Sequence, residues 1–524
     1  MSTESGTPDD RQAAGEAATE SRTSADDGEQ PAAPDTGAGE QPRAPEAGSG
    51  RGARIGVDSW VAQSDSRLDL GTGWGGSLRR FDRRIGWWPK LALGAAVGVL
   101  AGVVITNIGV QQVAFNAMVY AILALGLNIS VGWAGLLDLG YVAFYGMGAY
   151  GYALLSSTAL GANSTGGLHL SAALIILIVT IGVGIVGLLI GLVALRLEGD
   201  YLAIVTLFVG LAFVEIVTNF DSTVLGGVNG IFGLDPLHVL GHQVTTTKGY
   251  YYVALGLVVV IAAILHLLDT SRTGRAWRAL RDDTLAARAM TIPVNKLKVM
   301  AFAFGAMVGS VAGVLFAADQ ASVSPSDFTA AVVILIYACL VLGGAGSIAG
   351  AILGGVLITV VEQMLTSPTD AAYLFYGLIL AALVVKIRPW RYLAAELAGI
   401  VLFGLAAHAI VSSISASAVA GQPGSGGRIG SLVSGWVIVP ANAGTYGNAL
   451  FAVLIVLLLV IIRLHGIWRL VVIVPTVYVA ACCWESRLVV NPAVTTQIMI
   501  GAVLIVTMAA RPQGLLGTRR VEVV

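Results

Sequence analysis

Charge is what this sequence has least of. Only 12% of its 524 residues are charged, about half of the ~25% usual in soluble proteins. A soluble globule with so few charges could not cover its own surface, so lipid is the expected solvent for most of the chain. Cysteine is scarce too: Cys339, Cys482 and Cys483 all sit in or beside apolar runs, which excludes a disulfide framework or zinc site and leaves buried small hydrophobes. The six histidines (His169, His238, His242, His266, His408, His465) form no H-E-x-x-H or other ligand pattern. His238 and His242 are four apart, but Pro236 and Gly241 argue against a helix there. No G-x4-G-K-[ST] loop occurs, so the chain does not hydrolyse ATP through a P-loop. The glycine-rich tract at 421–427 lacks the lysine and reads as an outer loop. No catalytic residue, metal, cofactor or nucleic-acid partner is expected.

Apolar residues, at 56%, and 66 glycines fill the space instead, and the mean hydropathy is +0.81. The net charge of −1 conceals two unequal regions. Residues 1–50 hold eleven acids against three arginines, and the remainder holds 20 acids against 27 bases. That first stretch is also rich in Ala, Gly, Pro, Ser and Thr and has no aromatic residue, a composition too poor in apolar surface to fold. A disordered acidic cytoplasmic tail is expected over 1–75. It does not start as a basic segment followed by an apolar run, so no signal peptide is expected.

From Lys90 onward, apolar runs near 91–109, 112–131, 139–159, 168–195, 200–220, 249–268, 298–319, 328–343, 348–365, 371–386, 394–417, 447–463, 467–484 and 493–510 predict an all-α polytopic transmembrane bundle of about fourteen segments. The pair 328–343 and 348–365 is short and broken by Gly343-Gly344-Ala345-Gly346, the pattern of half-helices or a re-entrant turn. With this alternation, 21 lysines and arginines fall on one side and three (Lys248, Arg428, Arg487) on the other, which predicts cytoplasmic termini in a plasma-membrane protein. Glycines at four-residue spacing (Gly94/Gly98/Gly102, Gly305/Gly309/Gly313, Gly346/Gly350/Gly354, Gly187/Gly191) predict close helix packing.

Acids within these runs are few: Asp138, Glu215 and Glu362, with Asp319 near a helix end. Each is a candidate for a cavity or for a structural hydrogen bond. The loop at 270–298 holds seven of the 21 bases. Trp277, Leu280, Leu285 and Ala289 recur near helical spacing, with Arg275, Arg278 and Arg281 on the other side. Two readings are open, a basic helix resting on anionic lipid and one laid in a groove of a cytosolic partner.

Three blocks resemble the LivM-type permeases of branched-chain amino acid ABC importers. They are LGLNISVGWAGLLDLGYVAFYGMGAY at 125–150, LEGDYLAIVTL at 197–207 with GGVNGI at 226–231, and the stretch from Ser271 through the basic loop to SPSDF at 324–328 and LGGAGS at 342–347. RPQGLLG at 511–517 resembles the family's ending. The resemblance covers roughly 90–390 and 493–517. It implies a permease core at 76–390 and additional transmembrane segments over 391–524, because Arg388-Pro389-Trp390 already resembles that ending. It also implies that DDTLAARAM at 282–290 lies in an EAA-like coupling helix, with Arg275, Arg278, Arg281, Asp282, Asp283, Ala286 and Ala287 facing an ATPase. Thr291 stands where the family generally has Gly, and Arg288 where an acid is common.

The implied function is import of branched-chain or related hydrophobic amino acids by alternating access. The partners implied are a second, LivH-like permease, two ATP-binding cassette subunits and an extracytoplasmic binding protein, within membrane lipid. Asn128, Asp138, Tyr141, Tyr145, Glu215 and Asn229 are the expected pathway positions. Urea or short-amide import within the same family, and ion-coupled secondary transport, are the alternatives.

Overall fold

The computed structural model describes residues 86–157, 172–194, 197, 200–220, 222–239, 242–386, 390–415, 419–425, 427–441, 443–464, 467–490, 492–510 and 514–517. The tail expected at 1–75 and the arginine-proline signatures at 388–389 and 511–512 lie outside them. The described chain is an all-α bundle, with only two-residue strands beside the helices. Each of the fourteen apolar runs is a helix of at least fourteen residues. Among the described residues, nine helices are long and apolar enough to cross a membrane by themselves. This is a multi-pass membrane protein.

The helices, in order, are α1 (Trp87–Val104), α2 (Ile108–Leu127), α3 (Tyr141–Ser156), α4 (Ala172–Ala194), α5 (Asp200–Asn219) and α6 (Thr247–Thr270). The basic loop contributes α7 (Arg272–Asp282) and α8 (Thr284–Ala289). Then come α9 (Val294–Gln320), α10 (Ala330–Gly343), α11 (Ile348–Thr366) and α12 (Pro368–Lys386). Last are α13 (Trp390–Ile414), α14 (Gly427–Val433), α15 (Ala443–Arg463), α16 (Ile467–Val490) and α17 (Pro492–Ala510).

The centre of the bundle is α2, α3 and α9, with α4, α6, α10 and α11 around them. Helix α2 carries eleven buried residues, so it meets protein on every side, whereas α1, α13 and α15 turn long rows of Leu, Val and Ile outward, as lipid-facing helices do. The 27 residues of α9 rise about 40 Å at 1.5 Å each, so α9 runs from the basic loop at one end of the bundle to Gln320 at the other. Trp87 stacks on His266 with ring centroids 3.7 Å apart, which puts the start of α1 beside the end of α6 at the basic-loop end.

At the opposite end the loops knit together. Ile231 in β1 (Ile231–Phe232) pairs with Val323 in β4 (Ser322–Val323), which fastens the segment after α5 to the segment after α9. His238 and Val239 form β2 and pair with β3 (His242–Gln243) rather than a helix. Below β4, Phe328 is fully buried against Tyr145, Tyr150, Phe213 and Phe316, with ring centroids 5.2–6.3 Å away.

The segments after 390 divide. Helices α13, α15 and α16 pack with one another and with α12 around small apolar clusters that include Tyr478, Cys482 and Leu393. Helix α17 returns to α10 and α11. Beyond it, Leu515 and Leu516 donate their backbone N–H groups to Leu342 and Gly343. All three cysteines are buried and none is in a disulfide.

One buried acid joins the added helices to the core. Glu485 on α16 is 0% exposed. Its Oε1 accepts from the Tyr376 hydroxyl of α12 (2.9 Å) and from Ser425 Oγ (2.8 Å), and its Oε2 accepts from Ser425 N (2.9 Å). Next to it, Trp484 lies flat on Phe375 at 4.5 Å. Three donors satisfy a carboxylate that would otherwise be prohibitive inside a bundle. Glu485→Ala would strand those donors, at a cost of about 3 kcal/mol in total. The expected result is a clear drop in the thermal midpoint of the detergent-solubilised protein, with a smaller drop for Glu485→Gln, which keeps an acceptor.

Candidate functional site

The basic loop is held to the bundle by its apolar side. Ser271 caps α7 by accepting from Gly274 N (3.3 Å), and Trp277 and Leu280 are fully buried. The Trp277 indole N–H donates to the Leu297 carbonyl (2.9 Å), and its ring stacks on Trp133 with centroids 6.2 Å apart. Such pairs contribute about 0.5–1.5 kcal/mol beyond their burial. The helix stops at Asp283, whose extended backbone (φ −156°, ψ 115°) starts α8 and whose Oδ1 accepts from Leu285 N and Ala286 N. That break turns the second helix. Ala287 is buried, while Leu285 is 72% exposed, so the single apolar face expected to run through Leu285 and Ala289 ends at Leu280.

The arginines divide as well. Arg275 and Arg278 are exposed; Arg275 donates to the Thr270 carbonyl (2.8 Å), and Arg278 pairs with Asp269 (3.4 Å). Asp282, Asp283 and Ala286 share that open surface. Arg281 turns inward and donates its guanidinium to the backbone carbonyl of Gly132. Gly135, at φ +71°, lets the chain pass close against Arg281, where a Cβ would lie 3.0–3.3 Å from its atoms.

What Arg281 grips is unusual backbone. Helix α2 continues into a π-helical turn, Asn128–Trp133, in which Ala134 N bonds the Ile129 carbonyl five residues back. Widened turns of this kind occur frequently at functional sites. A Cβ on Gly132 would strike the Asn128 amide. Without one, Asn128 Oδ1 reaches the backbone N–H of Gly346 (2.7 Å), and Trp133 Nε1 donates to the Gly346 carbonyl (3.2 Å). A continuous path of contacts therefore runs from α7 through the π-turn to the glycine turn that opens α11.

The other end of α11 lines a cavity of about 190 Å³. Thr359, Glu362, Gln363 and Thr366 come from α11, and Asn116, Val119 and Tyr120 from α2. Tyr145 of α3 and Phe316 and Gln320 of α9 complete the wall. Among the described residues, no lysine, arginine or histidine lines it. At the same end of α9, Asp319 accepts from Gln112 Nε2 (2.7 Å). The cavity and the basic loop sit at opposite ends of α9.

Of the six expected pathway positions, Tyr145 lines this cavity. Asn128 bonds the glycine turn. Asp138 is buried where Oδ1 accepts from Gly140 N (3.2 Å), and its own N–H donates to the Tyr337 hydroxyl (3.0 Å). Tyr141 donates to the Gly305 carbonyl (3.2 Å). Glu215 is exposed on α5 and accepts from Asn219 (2.9 Å), and Asn229 is exposed in the loop before β1. Glu362, one of the acids expected on a cavity or in a structural hydrogen bond, lines the cavity; its other polar residues were not singled out in the sequence, although a signal exists. Positions 112, 116 and 120, and positions 359, 362, 363 and 366, each form a polar stripe at helical spacing in an otherwise apolar helix.

Residues 109–385 match the family model described as branched-chain amino acid transport system / permease component. The chain is 36% identical over 310 residues to the high-affinity branched-chain amino acid transport system permease protein LivM of Escherichia coli (strain K12), covering 54% of this chain and 69% of the relative. It is 25% identical over 312 residues to the probable branched-chain amino acid transport permease protein LivM of Methanocaldococcus jannaschii, covering 52% and 89%. The LivH permease protein of Escherichia coli (strain K12) is 24% identical over 264 residues, covering 48% and 84%. No solved structure matches the chain.

The turn from α8 into α9 places Thr291 at φ +60°, a left-handed conformation that costs an L-residue about 1–2 kcal/mol and glycine nothing. This is the physical reason a glycine suits the position. Thr291→Gly is expected to stabilise the protein by about 0.5–1 kcal/mol, after the larger unfolded-state entropy of glycine is subtracted. A higher thermal midpoint in detergent checks it, and a lower one contradicts it.

Proposed function

The chain belongs to the family of branched-chain amino acid transport permeases, and we propose that it forms one half of the pathway of an ATP-driven importer of hydrophobic amino acids. Its relatives include both LivM and LivH permease proteins, which supports a two-permease assembly in which a LivH-like chain completes the pathway. Two ATP-binding subunits power it and an extracytoplasmic binding protein delivers the substrate. The excess of 21 bases over three supports cytoplasmic termini and a cytoplasmic α7.

One observation carries this reading: the basic helix and the polar cavity occupy opposite ends of the bundle, joined by the path through the π-turn and the glycine turn. An importer needs that separation, because the power source lies on one side of the membrane and the substrate arrives on the other. The open surface of α7 and α8, with Arg275, Arg278, Asp282, Asp283 and Ala286, is the ATPase-facing side. Arg281 and Ala287 are the inward side that passes the motion on. ATP binding and hydrolysis by the partners bias two states whose gates respond oppositely to one shift of α7. The cavity wall that includes Tyr145 is the outer part of the pathway. Asn128, Asp138 and Tyr141 act as positioning residues in the elements that move. Glu215 and Asn229, exposed on α5 and in the loop after it, face the lipid or the second permease.

The test is reconstitution in lipid vesicles. Leucine accumulation is expected only when both permeases, the ATP-binding subunits, the loaded binding protein and ATP are present together. Accumulation by the permeases alone, without nucleotide, would contradict the proposal.

A further inference from the structure

We propose that Glu362 receives the ammonium group of the amino acid as it enters the permease, so that this chain, and not the binding protein alone, reads the substrate's charge. The inference deepens the import reading and rests on it.

A carboxylate in a membrane helix is expensive and is normally paired or placed on a cavity. Among the described residues, no cation lines the cavity with Glu362, and its carboxylate makes no hydrogen bond within the protein. It differs in this from Glu485, whose oxygens are filled by three donors. It differs too from Asp138, which holds the Gly140 amide, and from Glu215, which holds Asn219. What Glu362 has is the cavity. The side chains of Asn116, Tyr120, Tyr145 and Gln363 share that wall and likewise make no hydrogen bond within the protein, among the described residues. The site therefore offers one negative charge and several uncharged polar groups, with Phe316 and Val119 as apolar wall.

That inventory selects a class of ligand. A free carboxylate with no neighbouring base attracts a cation, and a primary ammonium supplies both the charge and the donors it lacks. The Asn116 and Gln363 amides and the tyrosine hydroxyls supply donors for the other end of a zwitterion, and Phe316 and Val119 suit an aliphatic side chain. A volume of about 190 Å³ is below the roughly 300–1,000 Å³ of drug-sized ligand sites and in keeping with a single small amino acid. The ligand class is thus a zwitterionic, aliphatic α-amino acid, recognised at its ammonium end. An anion of the same shape, without the amino group, would be repelled.

The full assembly in lipid vesicles, with leucine as the probe, gives the test. If the wild-type assembly shows no ATP-dependent leucine uptake, the underlying import reading fails. Given that uptake, Glu362→Gln is expected to lower it at least tenfold, while assembly yield remains that of the wild type. Glu362→Asp, which restores the charge, is expected to recover most of the loss. A Gln variant that transports at the wild-type rate, or an Asp variant as slow as the Gln variant, overturns the proposal and leaves the import reading intact. A second arm leaves Glu362 in place. In Gln363→Cys, a cationic methanethiosulfonate reagent is expected to modify the thiol at least tenfold faster than a sulfonate-bearing one, each rate divided by its rate with a free thiol in solution, and leucine is expected to slow both. Equal normalised rates overturn the proposal.

Discussion

A guanidinium on a backbone carbonyl, with two stacked indoles beside it, is the joint on which the rest of this molecule depends. Arg281 bonds Gly132, and Trp277 lies on Trp133. The carbonyl is presented by a π-helical turn at the end of a central, deeply buried helix of the bundle. A rigid attachment of this kind is what a helix needs if it is to move other helices. A loop resting on lipid headgroups would absorb a push, whereas one bonded to α2 and, through Asn128 and Gly346, to the turn before α11 passes it on. Packed interfaces switch between discrete arrangements and do not deform continuously.

Electrostatics divides the molecule along the same line. The basic-loop end carries the exposed Arg275 and Arg278. The other end carries Glu362 on a cavity that, among the described residues, has no cation in its wall. Between them the bundle is closed by close backbone packing and by hydrogen bonds to backbone groups, such as that from the Tyr141 hydroxyl to the Gly305 carbonyl. The helices after 390 leave this arrangement undisturbed. They attach to α12 through Glu485 and Trp484, and residues 514–517 still dock on the end of α10.

The architecture was largely legible in the sequence, because length and hydropathy are additive properties of a segment. The fourteen runs, the glycine-broken pair and the amphipathic start of the basic loop all appear as helices or turns where expected. The site was legible only in part. Arg281 resembles the two other arginines of its loop as long as the loop is one helix; the break at Asp283 and the inward turn of that side chain depend on tertiary packing. The segment at 128–133, Asn-Ile-Ser-Val-Gly-Trp, is poor in strong helix formers, but that does not tell a π-turn from a simple helix end. Glu362 is visible as an intramembrane acid, but its meaning lies in its neighbours, and the polar stripes on α2 and α11 come together only when the helices pack. Glu485 is hidden by its position near Arg487, which suggests a solvated helix end. Thr291 carries a signal whose meaning, a left-handed turn, emerges only with the backbone angle.

The most direct measurement of the central claim asks whether force passes through the joint. The full assembly carrying Trp277→Ala and Arg281→Ala together should hydrolyse ATP and retain its ATP-binding subunits, yet leucine accumulation in vesicles should fall to the level seen without nucleotide. Accumulation at the wild-type rate from that doubly substituted assembly would mean that motion reaches the cavity by another route, and that the contact of Arg281 and Trp277 with the π-turn is not the coupling joint.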